Sequence, residues 1–262
     1  MKKAIVIGAG IAGIAASVRL ALKGYEVRVL EANSSFGGKM REFTQNGYRF
    51  DAGPSLFTLP HLVDELFELA GRQPQQYFHY QKLDVITHYF FSDGTFLKAY
   101  AEPEKFAAEA EQQLGVPQQQ VLNQLKKSAR LYHGTAPTFL QKSLHKPKTY
   151  FSKDILKTLT CLPDLGLNQT MHQANATAFK DARFVQLLDR FATYNGSDPY
   201  QAPATLNIIP HLEHNIGAFY PEGGIYAIAE SLVKLAQELG VKFHYNEKAE
   251  RILTAAGKAT GV

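Results

Sequence analysis

The first thirty residues alternate between apolar runs and a glycine-rich loop. An apolar run at residues 4–7 leads into the loop at residues 8–13, and small and apolar residues then continue at helical spacing to about Lys23. Gly24 fits the end of that helix, and alternating apolar residues mark a second strand at residues 26–30. A strand, a helix and a second strand within about 30 residues form the spacing of a βαβ unit. The pattern therefore predicts an α/β, Rossmann-like fold.

The same residues also have the features of an export signal. Lys2 and Lys3 precede an uncharged run of 15 residues at 4–18, with small side chains near its end. This run is shorter than the roughly 20 residues that a helix needs to cross a bilayer. An export signal also explains neither the second strand nor the acidic residue that follows it. We therefore predict a nucleotide-binding fold rather than a secretory signal.

The loop has the glycine spacing of a dinucleotide-binding site. Gly8 permits the tight turn after the strand, Gly10 lets the backbone approach a pyrophosphate, and Gly13 lets the helix lie close to the sheet. The pyrophosphate would then meet the free N–H groups at the positive end of the helix. Glu31 follows Gly13 by 18 residues, where an acid that binds ribose hydroxyls is expected, and it disfavours the 2′-phosphate of NADP. The spacing alone leaves FAD and NAD open.

A second glycine turn follows the βαβ unit. Gly37 and Gly38 permit a loop to double back against a bound cofactor, and Lys39 and Arg41 would bring positive charge near it. An ordinary turn with solvated basic residues explains this segment equally well. Further along, the turn at residues 51–54 follows an aromatic strand at 48–50, and its position after the cofactor unit favours a functional role over a purely structural one.

The rest of the chain mixes helical and strand patterns. Helical spacing predicts helices over 61–70, 103–114, 117–133, 178–191 and 223–240. Strands are predicted over 83–91 and 94–100 around an Asp-Gly turn, and over 243–246, 249–254 and 259–262. The aromatic stripe in the helix at 178–191 is expected to pack in a core, because Phe is usually buried.

Composition adds limits to this picture. The chain has 262 residues with 45% hydrophobic residues, 17 Phe and 13 Tyr, which excludes intrinsic disorder. A single cysteine, Cys161, excludes a disulfide scaffold and is expected to lie in a core. His211 and His214 are three residues apart, but without a third ligand they are weak evidence for a metal site, and we predict none.

The net charge of +4 is confined to one segment. Residues 139–162 contain five lysines and one acid, and the remaining chain then has 23 basic and 23 acidic residues. The segment interleaves these charges with apolar side chains, which fits either a solvated lysine-rich face or contact with a lipid surface. No arginine cluster or recognisable motif indicates nucleic acid as a partner. The charged and apolar residues that alternate in the segment 139–162 are Phe139, Lys142, Leu144, Lys146, Lys148, Tyr150, Phe151, Lys153, Asp154, Ile155, Leu156, Lys157 and Leu159.

Four stretches of the sequence resemble a known family. Residues 6–40 resemble the flavoproteins with two dinucleotide-binding motifs, which include amine oxidases and carotenoid desaturases. Residues 48–58, 190–207 and 219–246 resemble the bacterial-type phytoene desaturase branch, and more narrowly its members that act on hydroxylated acyclic carotenoids at the 3,4 position. The resemblance covers only the N-terminal half of the family pattern. We therefore expect a fragment whose C-terminal part is missing, although a degenerate stand-alone copy is the alternative.

The resemblance implies FAD as the cofactor and assigns residues to it. The ADP half would contact Gly8, Gly10, Ile11, Ala12, Gly13, Glu31 and Ala32, and the flavin half would lie along Gly37, Gly38, Lys39, Gly53, Pro54 and Ser55. The implied fold is a Rossmann-like FAD-binding domain with an inserted α+β substrate domain. Its parts would be residues 1–75 and 219–262 for the FAD-binding domain and 76–218 for a substrate domain that associates with membrane.

The implied activity is desaturation of an acyclic carotenoid. The alternatives are a flavin amine oxidase, a carotenoid isomerase, or a flavin-binding fragment without turnover. The sequence assigns no catalytic side chain and no proton acceptor. Because carotenoids partition into bilayers, the implied substrate raises the expectation that residues 139–162 contact a membrane. We therefore expect the protein in the cytoplasm, bound peripherally to the inner face of the cell membrane.

Overall fold

The chain divides into two compact units. The computed structural model describes residues 2–139, 142–143, 145–151 and 153–262, with all side chains in these ranges except those of Lys153 and Leu156. One unit comprises Met1–Lys82 together with Phe219–Val262, and the other comprises Leu83–Ala218.

The chain contains both helices and strands. The first unit begins with β1 (Lys3–Ile7), α1 (Ile11–Leu22), β2 (Glu26–Leu30), β3 (Glu42–Gln45), β4 (Tyr48–Asp51), α2 (His61–Leu69) and β5 (Tyr80–Lys82). The second unit contains β6 (Val85–Phe90), β7 (Phe96–Tyr100), α3 (Pro103–Leu114), α4 (Gln118–Phe139), α5 (Pro147–Tyr150), α6 (Lys153–Thr160), α7 (Met171–Ala178) and α8 (Ala182–Asp189). The chain then returns to the first unit with β8 (Phe219–Pro221), α9 (Tyr226–Glu238), β9 (Lys242–His244), β10 (Leu253–Ala255) and β11 (Lys258–Gly261).

A parallel three-stranded sheet organises the first unit. Its order is β1-β2-β9, and β1 and β2 are in register from the pair Lys3 and Glu26 to the pair Ile7 and Leu30. Apolar side chains of α1, α9 and β2 form one buried cluster against the sheet; they include Ile14, Val18, Val27, Val29, Leu232 and Leu235. This arrangement confirms the prediction of a Rossmann-like α/β fold.

The alternation of side chains along β1 leaves one of its faces open. Ala4 and Val6 point towards the core cluster, whereas Ile5 and Ile7 are 43% and 50% exposed. Because successive side chains of a strand point to opposite faces, this face of β1 lies outside the buried cluster. β1 is also an edge strand, paired through its backbone with β2 in the described part of the chain.

The second unit buries the predicted aromatic stripe. Phe184, Leu187, Leu188 and Phe191 lie in its core together with Leu97 of β7 and Phe106 of α3. The helix predicted over 178–191 is shorter than expected, because the carboxylate of Asp181 accepts the N–H groups of Arg183 and Phe184 and begins α8 at Ala182. Cys161 is buried, as predicted, beside Leu131 and Leu165. Among the described residues, none of the helices combines the length and apolar composition needed to cross a bilayer.

Candidate cofactor-binding site

The glycine loop after β1 has the geometry that its spacing predicts. Gly8 has a φ of +94°, which permits the sharp turn away from the strand, and its N–H donates to the carbonyl of Leu30 at 2.7 Å. A Cβ at Gly13 would lie 2.0 Å from the carbonyl oxygen of Gly8, so α1 can pack this closely only with glycine there. A Cβ at Gly10 would have no neighbour closer than 3.9 Å. The fold itself therefore requires Gly13 but leaves space above Gly10.

The N-terminus of α1 is suited to an anion. Gly10 is the N-cap residue and offers no side-chain cap, and the first turn contains no acidic residue. The N–H groups of the first turn, at Ile11, Ala12 and Gly13, precede the first helical hydrogen bond, which Ile14 donates to Gly10 at 3.0 Å. The partial positive charge of a 12-residue helix thus lies at Gly10, where no side chain caps it. A diphosphate fits this position.

Glu31 lies at the end of β2 and is only 6% exposed. Its Oε2 accepts the N–H of Ala9 at 2.7 Å, and its Oε1 accepts the backbone and side-chain N–H groups of Asn33 at 2.9 and 2.6 Å. Burial by itself raises the pKa of Glu31, but these hydrogen bonds outweigh it and leave the pKa below its ordinary value. The carboxylate is therefore ionised at neutral pH, and Oε2 retains the capacity to accept a ribose hydroxyl beside the exposed Ala32.

The second glycine turn lies directly against the first. The N–H of Gly37 donates to the carbonyl of Ala9 at 2.8 Å, and a Cβ at Gly38 would lie 3.1 Å from the Cα of Gly10. The sequence left open whether this loop doubles back against a cofactor or is an ordinary turn, and the structure shows that it doubles back against the glycine loop. The close approach of the two backbones favours the functional interpretation over an ordinary turn.

A third backbone segment, residues 52–55, packs against the second glycine turn. A Cβ at Gly53 would lie 1.9 Å from the carbonyl oxygen of Lys39, and the N–H of Ala52 donates to Arg41 at 2.6 Å. We call the three backbone segments, residues 8–13, 37–39 and 52–55, the glycine cradle. The side chains of Lys39, Pro54 and Ser55 are exposed at its rim. The residues predicted for the ADP half and for the flavin half are thus brought together in one unit.

Sequence reasoning missed an aromatic contact that supports the cradle. The ring of Tyr226, the first residue of α9, stacks on Phe36 with centroids 5.2 Å apart and an interplanar angle of 5°. The same ring lies against Gly37, where a Cβ would be 2.9 Å from it. The available signal was the Gly223-Gly224 pair just before a helical pattern, which marks a backbone turn aimed at another segment.

The histidines of the second unit do not form a metal centre in the described residues. Burial lowers the pKa of both His211 and His214 to about 4, so both are neutral at neutral pH. The described chain contains no group of three histidine, cysteine, aspartate or glutamate side chains placed to hold a metal ion. His214 instead stacks on Phe106 at 4.3 Å, within the buried core of this unit.

The sheet, the glycine cradle and Glu31 define a dinucleotide-binding protein. Residues 11–262 match the family described as flavin containing amine oxidoreductase. The chain belongs to this family, and its cofactor is FAD. The cradle fits FAD, since it combines space for a diphosphate at a helix N-terminus with an ionised acid for the ribose.

The whole chain also matches individual proteins. It is 46% identical over 262 residues to a 1-hydroxycarotenoid 3,4-desaturase from Flavobacterium sp. (strain P99-3), covering all of this chain and 53% of that protein. It is 32% identical over 264 residues to a 4,4′-diapolycopene oxygenase from Methylomonas sp., of which it covers 52%. A solved oxidoreductase from Methanosarcina mazei shares the fold with a TM-score of 0.59 and 17% identity, over 99% of this chain and 54% of that one. The chain therefore spans about half the length of the curated relatives it matches.

Proposed function

We propose that this chain provides the FAD-binding part of an enzyme that desaturates an acyclic carotenoid, with a 1-hydroxycarotenoid as the favoured substrate. The observation that carries the proposal is the 46% identity, along the whole chain, to the Flavobacterium 1-hydroxycarotenoid 3,4-desaturase. The second relative is an oxygenase that is named for a carotenoid as well, so oxygenation of a carotenoid is the competing candidate.

Each part of the glycine cradle has a defined task in this reaction. Bound FAD supplies the two-electron acceptor when two hydrogens leave adjacent carbons of the polyene. The N-terminus of α1 holds the diphosphate, and Glu31 holds the ribose through a charge-assisted hydrogen bond. The backbone segments at Gly38 and Gly53 would lie along the flavin half, as the family resemblance implies. These residues bind and orient the cofactor, and no side chain of the chain is assigned to remove the proton.

An anaerobic turnover experiment tests the proposed activity. Purified protein with FAD is mixed with a 1-hydroxycarotenoid in liposomes, in one arm as this chain and in a second arm with the C-terminal half of the Flavobacterium relative appended. We expect the flavin to bleach and the polyene absorbance to shift to longer wavelength in the second arm at least. A change of polyene geometry without flavin reduction would indicate isomerisation, incorporation of oxygen in air would indicate oxygenation, and turnover of amines alone would indicate an amine oxidase. Each of these three outcomes contradicts the proposal.

We also propose that residues 139–162 dock the protein peripherally on the inner face of the cell membrane. The inner side of this segment is fixed to α4, because Thr158 donates to the carbonyl of Gly134 at 2.8 Å and Cys161 is buried. The segment exposes Phe151, which is 90% accessible, together with Phe139 and Leu159. Leu144 lies outside the described residues, as do the side chains of Lys153 and Leu156.

The exposed charge of the segment supports the same proposal. Lys142 pairs with Asp154, so the single acid of the segment is already neutralised. The side chains of Lys146, Lys148 and Lys157 are exposed on the segment. Exposed lysines next to exposed aromatic side chains match the composition of segments that lie in an anionic lipid interface.

Neutralising these three lysines is expected to weaken binding to liposomes that contain anionic lipid. Each lysine near such a surface contributes about 1 kcal/mol, so the variant Lys146→Gln/Lys148→Gln/Lys157→Gln should lose about 3 kcal/mol, roughly 100-fold in partitioning. Co-sedimentation with vesicles measures the loss. The control variant Lys23→Gln/Lys126→Gln/Lys258→Gln changes the same charge at exposed positions elsewhere. Equal losses for the two variants would show that only net charge matters and would overturn the docking segment.

A further inference from the structure

Asp51 joins three separate segments of the first unit. It is the last residue of β4, and its side chain is 11% exposed. Its Oδ2 accepts the hydroxyl of Tyr220 from β8 at 2.6 Å, and its Oδ1 accepts Nη2 of Arg49 at 2.8 Å. Both oxygens also accept the N–H of Ile225, at 3.2 and 3.3 Å. A single carboxylate thus ties the end of β4 to β8 and to the start of α9.

The contact with Ile225 places a negative charge at the N-terminus of a long helix. Ile225 is the N-cap residue of α9, which has 13 residues and no acidic residue in its own first turn. Asp51 therefore supplies the anion that the positive end of this helix favours. The guanidinium of Arg49 lies on Gly224, where a Cβ would be 2.1 Å from Nη1, so it packs against the turn before α9.

The first turn of α9 also reaches the glycine cradle. Tyr226 follows Ile225 directly, stacks on Phe36 and lies against Gly37. On the other side, Asp51 is followed at once by Ala52 and Gly53, the segment that lies against the carbonyl of Lys39. The two outer layers of the cradle are thus both connected to one point, the contact between Asp51 and Ile225.

We propose that Asp51 is a positioning residue for the cofactor, which holds the layers at residues 37–39 and 52–55 in place through the first turn of α9. This inference deepens the proposed function, because it rests on FAD binding in the glycine cradle. The innermost layer consists of residues 8–13 with Glu31. It is held by the hydrogen bond from Gly8 to the carbonyl of Leu30 and by the one from Ala9 to the carboxylate of Glu31, and neither bond involves Asp51. Asp51 therefore acts on the outer layers, which the family resemblance assigns to the flavin half of FAD.

The charge state of Asp51 fits this role. Burial by itself raises its pKa, but the hydrogen bonds from Tyr220, Ile225 and Arg49 outweigh burial and leave the pKa below its ordinary value. The carboxylate is ionised at neutral pH and can accept from all three donors at once, whereas an amide at this position offers one acceptor oxygen and adds two donors.

The test compares FAD with ADP as ligands of the free protein. In Asp51→Asn we expect the dissociation constant of FAD to rise about 30-fold, while that of ADP changes less than about threefold, because ADP contacts only the innermost layer. Flavin fluorescence quenching gives the dissociation constant of FAD, and calorimetric titration gives that of ADP. Both are measured at a temperature well below the melting temperature of the variant. Glu42→Gln is the matched control, because Glu42 contacts the same guanidinium at 2.5 Å without a bond to α9. We expect it to leave both constants within about threefold of the wild type.

Several outcomes would overturn the inference. Equal losses of FAD and ADP affinity would mean that Asp51 only stabilises the unit, and no loss of either would mean that the contact is dispensable. Tyr220→Phe provides a milder change if Asp51→Asn does not fold, and it should weaken FAD about threefold to tenfold with ADP unchanged. A wild-type protein that binds neither ligand would contradict the proposed function itself, separately from the role of Asp51.

Discussion

Gly10→Ala is expected to weaken FAD binding at least about 100-fold while leaving the thermal stability of the free protein unchanged. In the free protein the new methyl group would make an ordinary van der Waals contact with the Cα of Gly38, 3.9 Å away, and would clash with nothing. The methyl group would lie at the N-terminus of α1, where the diphosphate has to approach the backbone. A φ of −74° and a ψ of 173° suit alanine as well as glycine, so the backbone carries no strain.

Gly13→Ala makes the informative comparison, because it adds the same methyl group three residues further along. Here the methyl would lie 2.0 Å from the carbonyl oxygen of Gly8, and the helix has to move away from the strand. We expect a loss of about 3 kcal/mol in the free energy of unfolding, in addition to weaker FAD binding. Thermal melts of both free proteins, with FAD titrations at a temperature where both are folded, separate the two effects. Similar melting losses in the two variants would contradict the assignment of space above Gly10.

Glu31→Gln is expected to raise the dissociation constant of FAD about 30-fold to 100-fold. A charge-assisted hydrogen bond contributes about 1.5–3 kcal/mol, and the amide both loses the charge and turns its NH₂ group towards an N–H group of either Ala9 or Asn33. Flavin fluorescence titration at neutral pH measures the change. Glu68→Gln, at an exposed position on α2, is the control and should leave the affinity unchanged. A weakening smaller than about threefold in Glu31→Gln would contradict the assignment of Glu31 to the ribose.

The same carboxylate gives the stability of the free protein a pH dependence of known sign. The pKa of Glu31 is lower in the folded protein than its ordinary value of 4.5, so its contribution is fully present above pH 4.5. The contribution is lost as the pH falls through the folded-state pKa. The melting temperature, measured from neutral to acidic pH, should therefore fall more steeply for the wild type than for Glu31→Gln. An equal fall in both proteins would show that Glu31 is not the responsible group.

The features of the fold that could be predicted from the sequence are those that depend on short spacings along the chain. Gly8, Gly10, Gly13 and Glu31 lie within one βαβ unit, so the register of that unit fixes their positions, whereas their contacts with the cofactor stay a prediction. The start of α8 was wrong by four residues, because helical periodicity does not register the capping carboxylate of Asp181. The exposed and buried sides of the helix were still correct, since they depend only on its period.

The sequence patterns did not predict contacts between residues that are far apart along the chain. Asp51 and Ile225 are 174 residues apart, and Phe36 meets Tyr226 across a similar separation. Asp51 looked like the end of a strand before a turn, and the pair Gly223-Gly224 looked like an ordinary helix start. Their connection follows from the return of the chain to the first unit after residue 218, which places β8 and α9 beside the cradle.

The open edge and open face of β1 have a consequence for the behaviour of this chain in concentrated solution. Among the described residues, β1 pairs with a neighbouring strand on one side only, and such an edge with exposed Ile5 and Ile7 is a template on which a second copy can add a strand. The exposed Lys3 at the start of the strand opposes such pairing by charge repulsion between copies. High salt screens this repulsion, with a Debye length of about 3 Å at 1 M, so we expect pairing between copies to increase with salt concentration.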